Sequence, residues 1–144
     1  RAYSRYELRR EIIIMTEKHL LVVDDEKNFG KFVAEVAVSV GYEVELTTGG
    51  TEFIRTYEER KPTAIVLDVI MPDMDGFEIA TWLAEQRFDG HVIVVTGYAP
   101  MYAKLLETLS LAKGLRSVTK NLKPVRAKTL RDALDFDGPT QSLD

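Results

Sequence analysis

Short apolar runs alternate along the chain with segments in which apolar residues recur every three or four positions. Residues 20–23, 64–67 and 92–95 are continuously apolar, which is typical of strands covered on both faces. Residues 44–46 and 117–122 form weaker, more polar strand candidates. Helical spacing follows each strand, in residues 29–40, 53–57, 77–84, 102–109 and 130–134. The pattern therefore predicts five strand–helix units.

Repeated strand–helix units are typical of an α/β domain with a parallel sheet, helices on both faces and right-handed crossovers. In such sheets, ligands bind beyond the carboxyl ends of the strands, at the point where the strand order reverses. The residues that follow the predicted strands are therefore the first candidates for a functional site.

Length and composition narrow the class of protein. The 144 residues are 45% apolar and 29% charged, which favours one folded domain over a disordered chain. There is no cysteine, so disulfides, thiol catalysis and cysteine-ligated metals are excluded. No apolar run approaches the roughly 18 residues of a membrane span. His19 and His91 each border an apolar run, and we expect them to start strands rather than to bind a metal together.

The sequence divides into three parts. Residues 1–14 do not start with Met and carry four arginines before an isoleucine run, so we interpret them as a tag or upstream segment. Residues 15–137 contain all five strand–helix units and form the predicted domain. Residues 138–144 are a short polar tail.

Charge is unevenly distributed. Residues 24–89 hold 15 acidic and six basic side chains, whereas residues 104–131 hold eight basic side chains and one acidic one. Such opposite regions can steer charged partners, although ordinary solvated helix faces explain the same counts. Direct nucleic-acid binding is not expected, because the basic region carries no recognition motif and the one aromatic residue near it is Tyr102, just before its start.

Charged and polar residues follow four of the predicted strands: Asp24 and Asp25, Asp68, Thr96, and Lys123. Carboxylates that meet at one rim repel each other, by roughly 4 kcal/mol for a pair 4 Å apart at an effective dielectric constant of about 20. A hard cation such as Mg²⁺ compensates this repulsion naturally. Taken singly, each residue has an ordinary explanation as a helix cap, a turn residue or a solvated lysine. Their joint placement favours a site.

Four segments resemble the receiver domain of two-component response regulators: residues 22–26, 65–76, 94–97 and 123–124. The resemblance covers nearly the whole chain and implies a flavodoxin-like fold with strand order 2-1-3-4-5. It further implies a cytoplasmic phosphoacceptor that receives a phosphoryl group from a histidine kinase or a phosphotransfer protein. Such a domain is a signalling switch rather than a metabolic enzyme, with only weak self-phosphorylation and self-dephosphorylation.

The resemblance also assigns roles. Asp68 would be the nucleophile, Lys123 would contact a phosphoryl oxygen, and Thr96 would move its hydroxyl toward the phosphate. Mg²⁺ would be held by Asp24, Asp25, Asp68 and the main-chain carbonyl of Ile70.

The chain departs from the family pattern near its predicted fifth strand. Most receivers carry an aromatic residue three positions before the lysine, and here that residue is Lys120. The stretch from Thr96 to Lys123 is also longer than usual. We therefore expect an altered output surface on the fourth helix and fifth strand, where Lys113, Arg116 and Lys120 would meet an acidic protein target. A receiver-like scaffold that acts without phosphorylation remains the alternative.

Overall fold

The computed structural model describes residues 2, 4–8, 17–98 and 100–135. The predicted tail, residues 138–144, lies outside the described residues. The predicted upstream segment, residues 1–14, is described only at residues 2 and 4–8, of which residues 5–8 form one helical turn. Within the described ranges, no helix combines the length and apolarity needed to cross a membrane.

Within the described residues from 19 to 134, five strands alternate with five helices. The strands are β1 (His19–Val23), β2 (Glu43–Thr47), β3 (Ala64–Asp68), β4 (His91–Thr96) and β5 (Ser117–Leu122). The helices are α1 (Lys27–Ser39), α2 (Gly50–Glu59), α3 (Gly76–Glu85), α4 (Pro100–Ala112) and α5 (Ala127–Leu134). The predicted strand–helix alternation is thus confirmed, including the polar fifth strand, and both histidines start strands.

All strands are parallel, in the order β2-β1-β3-β4-β5. This is the flavodoxin-like order that the family resemblance implied. The chain leaves β1 toward β2 on one side and returns to place β3 on the other side. The strand order therefore reverses between β1 and β3, where ligands are expected in this architecture.

Two apolar layers explain the continuous apolar runs. Leu21, Ile65 and Val92 belong to the cluster that buries one face of the sheet against α2, α3 and α4. Their sequence neighbours Leu20 and Val66 point to the opposite face, which α1 and α5 cover. Because successive side chains of a strand point to opposite faces, a sheet covered on both sides requires apolar residues at every position.

Candidate functional site

The register of the parallel strands aligns their carboxyl ends along one edge of the sheet, which we call the rim. Val23 of β1 pairs with Leu67 of β3, so the next residues, Asp24 and Asp68, lie side by side. Asp68 in turn pairs with Val95 of β4. Adjacent strands are about 4.8 Å apart, which brings side chains that are 44 positions apart in sequence into direct proximity.

Three carboxylates converge at this rim. One ligand oxygen from each of Asp24, Asp25 and Asp68 lies within 4.8 Å of the others. Asp24 and Asp68 are buried, at 2% and 3% exposure, whereas Asp25 is exposed at the mouth of the pocket. The pocket thus combines two desolvated carboxylates with one that solvent reaches.

Burial and mutual repulsion perturb the two inner carboxylates. Desolvation, followed by the negative charge of Asp24, raises the pKa of Asp68 to about 7, although Lys123 and a hydrogen bond from the Ile70 backbone N–H act in the opposite direction. Desolvation also raises the pKa of Asp24, while hydrogen bonds from Lys123 and from the Glu26 backbone N–H oppose it. A buried carboxyl group that repels its neighbour favours its protonated form, so a bound cation would strengthen the ionised form of both.

Lys123 is the cation nearest to the acidic cluster. Its Nζ lies 2.8 Å from Asp24 Oδ2 and 3.9 Å from Asp68 Oδ2, and it also pairs with Glu26. The ammonium group sits 4.5 Å from the centre of the Phe29 ring. Burial disfavours its charge, yet the carboxylates of Asp24 and Glu26 hold the pKa of Lys123 above its ordinary value. Glu26 and Phe29 were not among the sequence-predicted site residues.

Thr96 and Ile70 border the same rim. Thr96 ends β4 and is fully buried, and its Oγ1 accepts a hydrogen bond from the Tyr98 backbone N–H at 3.1 Å. Ile70 is exposed, in the loop that follows β3. The structure therefore brings Asp24, Asp25, Asp68 and Lys123 into one cluster and places Thr96 and Ile70 at its edge; the chemical roles of all six stay predictions.

The loop between β3 and α3 is fixed at both ends. The Val69 N–H donates to Val95 O at 3.2 Å, and the Gly76 N–H donates to Val69 O at 2.7 Å. Asp75 caps α3 in a capping box, in which Asp75 accepts from the Glu78 N–H and the Glu78 side chain accepts from the Asp75 N–H. The D-x-x-E spacing is a known helix-start signal, and it was available in the sequence.

Asp73 ties the middle of the same loop to α2. Its carboxylate accepts hydrogen bonds from the backbone N–H groups of Gly50 at 3.1 Å and Thr51 at 3.3 Å. The Gly50 hydrogen bond is the main reason why the pKa of Asp73 lies below its ordinary value. A Cβ on Gly49 would lie 3.0 Å from Asp73 Oδ2, so the adjacent glycine gives the carboxylate room to approach the helix terminus.

The basic residues of the predicted output surface do not share one environment. Lys120 of β5 is half-exposed and pairs with Glu107 of α4 at 3.0 Å. Lys113 and Arg116 lie instead beside the amino end of β5 and line a separate cleft. The charge surplus counted along the sequence is therefore distributed over at least two surfaces.

Similar proteins indicate the family to which the chain belongs. Sporulation initiation phosphotransferase F of Bacillus subtilis is 28% identical over 129 residues, which is 90% of this chain and 99% of that protein. The alkaline phosphatase synthesis transcriptional regulatory protein PhoP of Bacillus subtilis is 33% identical over 89 residues, 62% of this chain. That alignment covers 37% of PhoP, and another covers 34% of the response regulator MprA of a Mycobacterium species. The chain thus spans about a third of the length of PhoP and of MprA, and nearly the whole length of phosphotransferase F.

Solved structures of receiver domains have the same fold as this chain. A CheY-like receiver domain from Methanospirillum hungatei superposes with a TM-score of 0.74 and 26% identity, covering 89% of this chain and 98% of that one. The chemotaxis protein CheY4 of Vibrio cholerae gives a TM-score of 0.71 and 26% identity, covering 83% and 97%. The family model for the response regulator receiver domain matches residues 20–135. With five parallel strands in the 2-1-3-4-5 order and an acidic pocket at the switch point, the chain belongs to the response regulator receiver domain family.

Proposed function

We propose that this chain accepts a phosphoryl group on Asp68 from a sensor histidine kinase or a phosphotransfer protein, with Mg²⁺ bound, and thereby switches a protein-interaction surface. The unit that carries this function is the predicted domain of residues 15–137, working in the cytoplasm as a signalling phosphoacceptor rather than a metabolic enzyme. Two relatives support the proposal. The relative from Bacillus subtilis that aligns over 90% of this chain is named sporulation initiation phosphotransferase F. The DrrB receiver domain, 28% identical with 81% of this chain covered, was solved in a BeF3-activated form.

The observation that carries the proposal is the convergence of Asp24, Asp25 and Asp68 within 4.8 Å. Hard oxygen ligands suit Mg²⁺, which commonly takes few protein carboxylates and keeps several water or phosphate oxygens. The donor set therefore fits this ion, with the main-chain carbonyl of Ile70 as the further proposed ligand. When bound, Mg²⁺ would spread the negative charge of the transferring phosphoryl group.

The residues of the rim divide the chemistry among them. An ionised Asp68 oxygen attacks phosphorus in line and forms an acyl phosphate, while the bond from phosphorus to the donor imidazole nitrogen breaks and its electron pair stays on that nitrogen. The ammonium of Lys123, already 3.9 Å from Asp68, pairs with a phosphoryl oxygen. The Thr96 hydroxyl donates its proton in a hydrogen bond to another phosphoryl oxygen, while its Oγ1 still accepts from the Tyr98 N–H.

A shift of Thr96 toward the phosphoryl group, which would pull Tyr98 with it through this hydrogen bond, gives phosphorylation a route to the protein surface. Thr96 ends β4, and the loop after it leads into α4. We therefore place the switched surface on α4 and β5, where a downstream protein target would bind. Here the Lys120–Glu107 ion pair occupies the position of the usual aromatic residue. This departure keeps a phosphorylation-independent binding scaffold as the second candidate.

Phosphoryl transfer separates the two candidates directly. We expect a small phosphodonor such as acetyl phosphate, with Mg²⁺, to add the mass of one phosphoryl group to the intact protein. Asp68→Asn should abolish the addition, because an amide oxygen is a poor nucleophile. Asp89→Asn is the matched control, since Asp89 is exposed and lies outside the pocket. If the wild-type protein gains no mass, the scaffold is favoured. If the Asp68→Asn variant gains the mass of a phosphoryl group, another residue is the acceptor.

We also expect Asp73→Ala to weaken Mg²⁺ binding by about threefold to tenfold. Residues that hydrogen-bond directly to a metal ligand usually change metal affinity by at least as much. The substitution removes the hydrogen bonds that attach the loop carrying Ile70 to the amino terminus of α2. Glu52→Ala is the matched control, because Glu52 accepts a hydrogen bond at the same end of α2, from the Thr48 N–H at 3.0 Å, and among the described residues it forms no hydrogen bond with the loop. Calorimetric Mg²⁺ titration measures both, and equal losses in the two variants would mean that Asp73 acts only through helix stability.

A further inference from the structure

A cleft of about 390 Å³ lies at the end of the sheet opposite to the acidic rim. Its walls are the segment after α3, with Arg87, Phe88 and Asp89, and the segment after α4, with Lys113 and Arg116. These segments lead into the amino ends of β4 and β5. Because all strands are parallel, the cleft is separated from Asp68 by the length of the sheet.

Positive charge dominates this cleft. Arg87, Lys113 and Arg116 line it from two different segments. The ion pairs among the described residues involve none of these three cations. The lone acid in the lining, Asp89, already pairs with Lys61 at 3.5 Å. Three cations thus share one concave surface without a negative partner.

The backbone at Arg87 is the second, independent observation. Helices α1, α3 and α4 end in the same motif, in which two successive N–H groups donate back to carbonyls three and five residues earlier. The residue at the left-handed position is Gly41 after α1, with φ of 95°, and Gly114 after α4, with φ of 110°. After α3 it is Arg87, with φ of 57°. A side chain with a Cβ is strained in this region, where glycine is not.

The strain at Arg87 calls for a physical reason. A cation near a helix carboxyl terminus interacts favourably with the helix dipole, but Gln86, which has ordinary helical angles, would offer a cation that position without strain. Residues held in sparsely populated backbone conformations are often functional. Here the left-handed conformation directs the chain so that Arg87 lines the same cleft as Lys113 and Arg116.

We propose that this cleft binds a small anion with two or more negative charges, of the phosphate or carboxylate type. The guanidinium groups of Arg87 and Arg116 present planar donor pairs that match two oxygens of one phosphate or carboxylate group, and Lys113 adds a third positive charge. The volume falls in the range of small-molecule sites. The proposal does not depend on phosphorylation of Asp68.

Amide NMR titration of the wild-type protein tests the site, with inorganic pyrophosphate and citrate as separate probes in buffer freed of divalent metal. We expect saturable shifts at Arg87, Gly114 and Arg116 and none at Asp24 or Asp68. Pyrophosphate binding alone would define the site as phosphate-selective, and citrate binding alone as carboxylate-selective. No saturable shift with either probe, or shifts centred on the acidic rim, would overturn the proposal.

Arg87→Gly separates a binding role from a structural one. Glycine relieves the left-handed strain, so the melting temperature should rise by about 3 °C, while the affinity for the anion falls about fivefold, as expected for one partly exposed ion pair. Arg116→Ala should weaken binding similarly. Lys128→Ala on α5, an exposed lysine outside the cleft, should change neither affinity nor shifts. Unchanged affinity in Arg87→Gly and Arg116→Ala would contradict the assignment.

Discussion

Asp68→Asn should raise the free energy of unfolding of the metal-free protein at pH 8 by up to about 4 kcal/mol. The pKa of Asp68 rises from an ordinary value of 3.8 to about 7 in the folded protein, mainly through desolvation and the charge of Asp24. A difference of about three pKa units corresponds to about 4 kcal/mol between the two protonation states. Asparagine has nearly the same shape and no charge, so the folded state no longer has to hold this carboxylate ionised.

The free energy of unfolding gained through Asp68→Asn should increase as the pH rises. Well below the ordinary pKa of 3.8 the carboxyl group is protonated in both folded and unfolded chains and contributes nothing. Between pH 4 and 7 the folded chain binds more protons at Asp68 than the unfolded chain does, so wild-type stability falls as pH rises. Above pH 7 the full penalty is present. The advantage of Asp68→Asn is therefore about 1 kcal/mol near pH 4.5 and largest at pH 8.

Urea unfolding at these two pH values, with a chelator present, measures the effect. The single tryptophan, Trp82, stacks edge-on against Tyr57 with ring centres 4.9 Å apart, so its fluorescence reports the packing of α2 against α3. Asp89→Asn controls for the loss of an exposed carboxylate. Adding Mg²⁺ should stabilise the wild-type protein more than Asp68→Asn, because a ligand of the folded state stabilises according to its affinity. An equal advantage at both pH values would show that Asp68 is not the perturbed group.

The fold was largely predictable from the sequence because a doubly covered parallel sheet leaves a strong pattern. Residues 20–23, 64–67 and 92–95 must be apolar at every position, and only strands buried on both faces require this. β5, Ser117–Leu122, is an edge strand of half-buried and exposed residues, so its composition carries little signal and its prediction rested on the strand–helix rhythm. The strand order was not readable from periodicity at all and came from the family resemblance.

The acidic rim was predictable for a related reason. Parallel strands end on the same side, so a residue that directly follows a predicted strand has a predictable location even when its partners are distant in sequence. Contacts that depend on side-chain reach were not predictable. Glu26 and Phe29 meet Lys123 across nearly 100 positions, and Asp73 reaches α2 from another loop. The left-handed conformation of Arg87 leaves no sequence signal, since arginine is an ordinary residue near helix ends and the glycine that usually marks this position is absent.

Lys123→Met should lower the free energy of unfolding of the metal-free protein at pH 8 by about 3 kcal/mol. Methionine keeps a side chain of similar length but removes the ammonium, which lies 2.8 Å from the buried Asp24 carboxylate and 4.5 Å from the centre of the Phe29 ring. Removing one partner of a buried ion pair is costly because the other charge is left without compensation. Lys128→Met, which breaks the exposed pair with Asp132 on α5, should cost no more than about 0.5 kcal/mol.

A double-mutant cycle shows whether that loss comes from the carboxylate or from altered packing. In the Asp24→Asn background no buried charge remains at that position, so Lys123→Met should then cost less than about 1 kcal/mol, and the coupling energy should be about 2 kcal/mol. Saturating Mg²⁺ should reduce the loss in the same way, because the ion would replace the ammonium as the compensating charge. A loss that stays near 3 kcal/mol in both cases would mean that Lys123 supports the fold through contacts other than Asp24, with Glu26 or the Phe29 ring. If the loss instead becomes small in both cases, Lys123 and Mg²⁺ are alternative counter-charges for the same carboxylate. Metal binding would then release the lysine to pair with an incoming phosphoryl group.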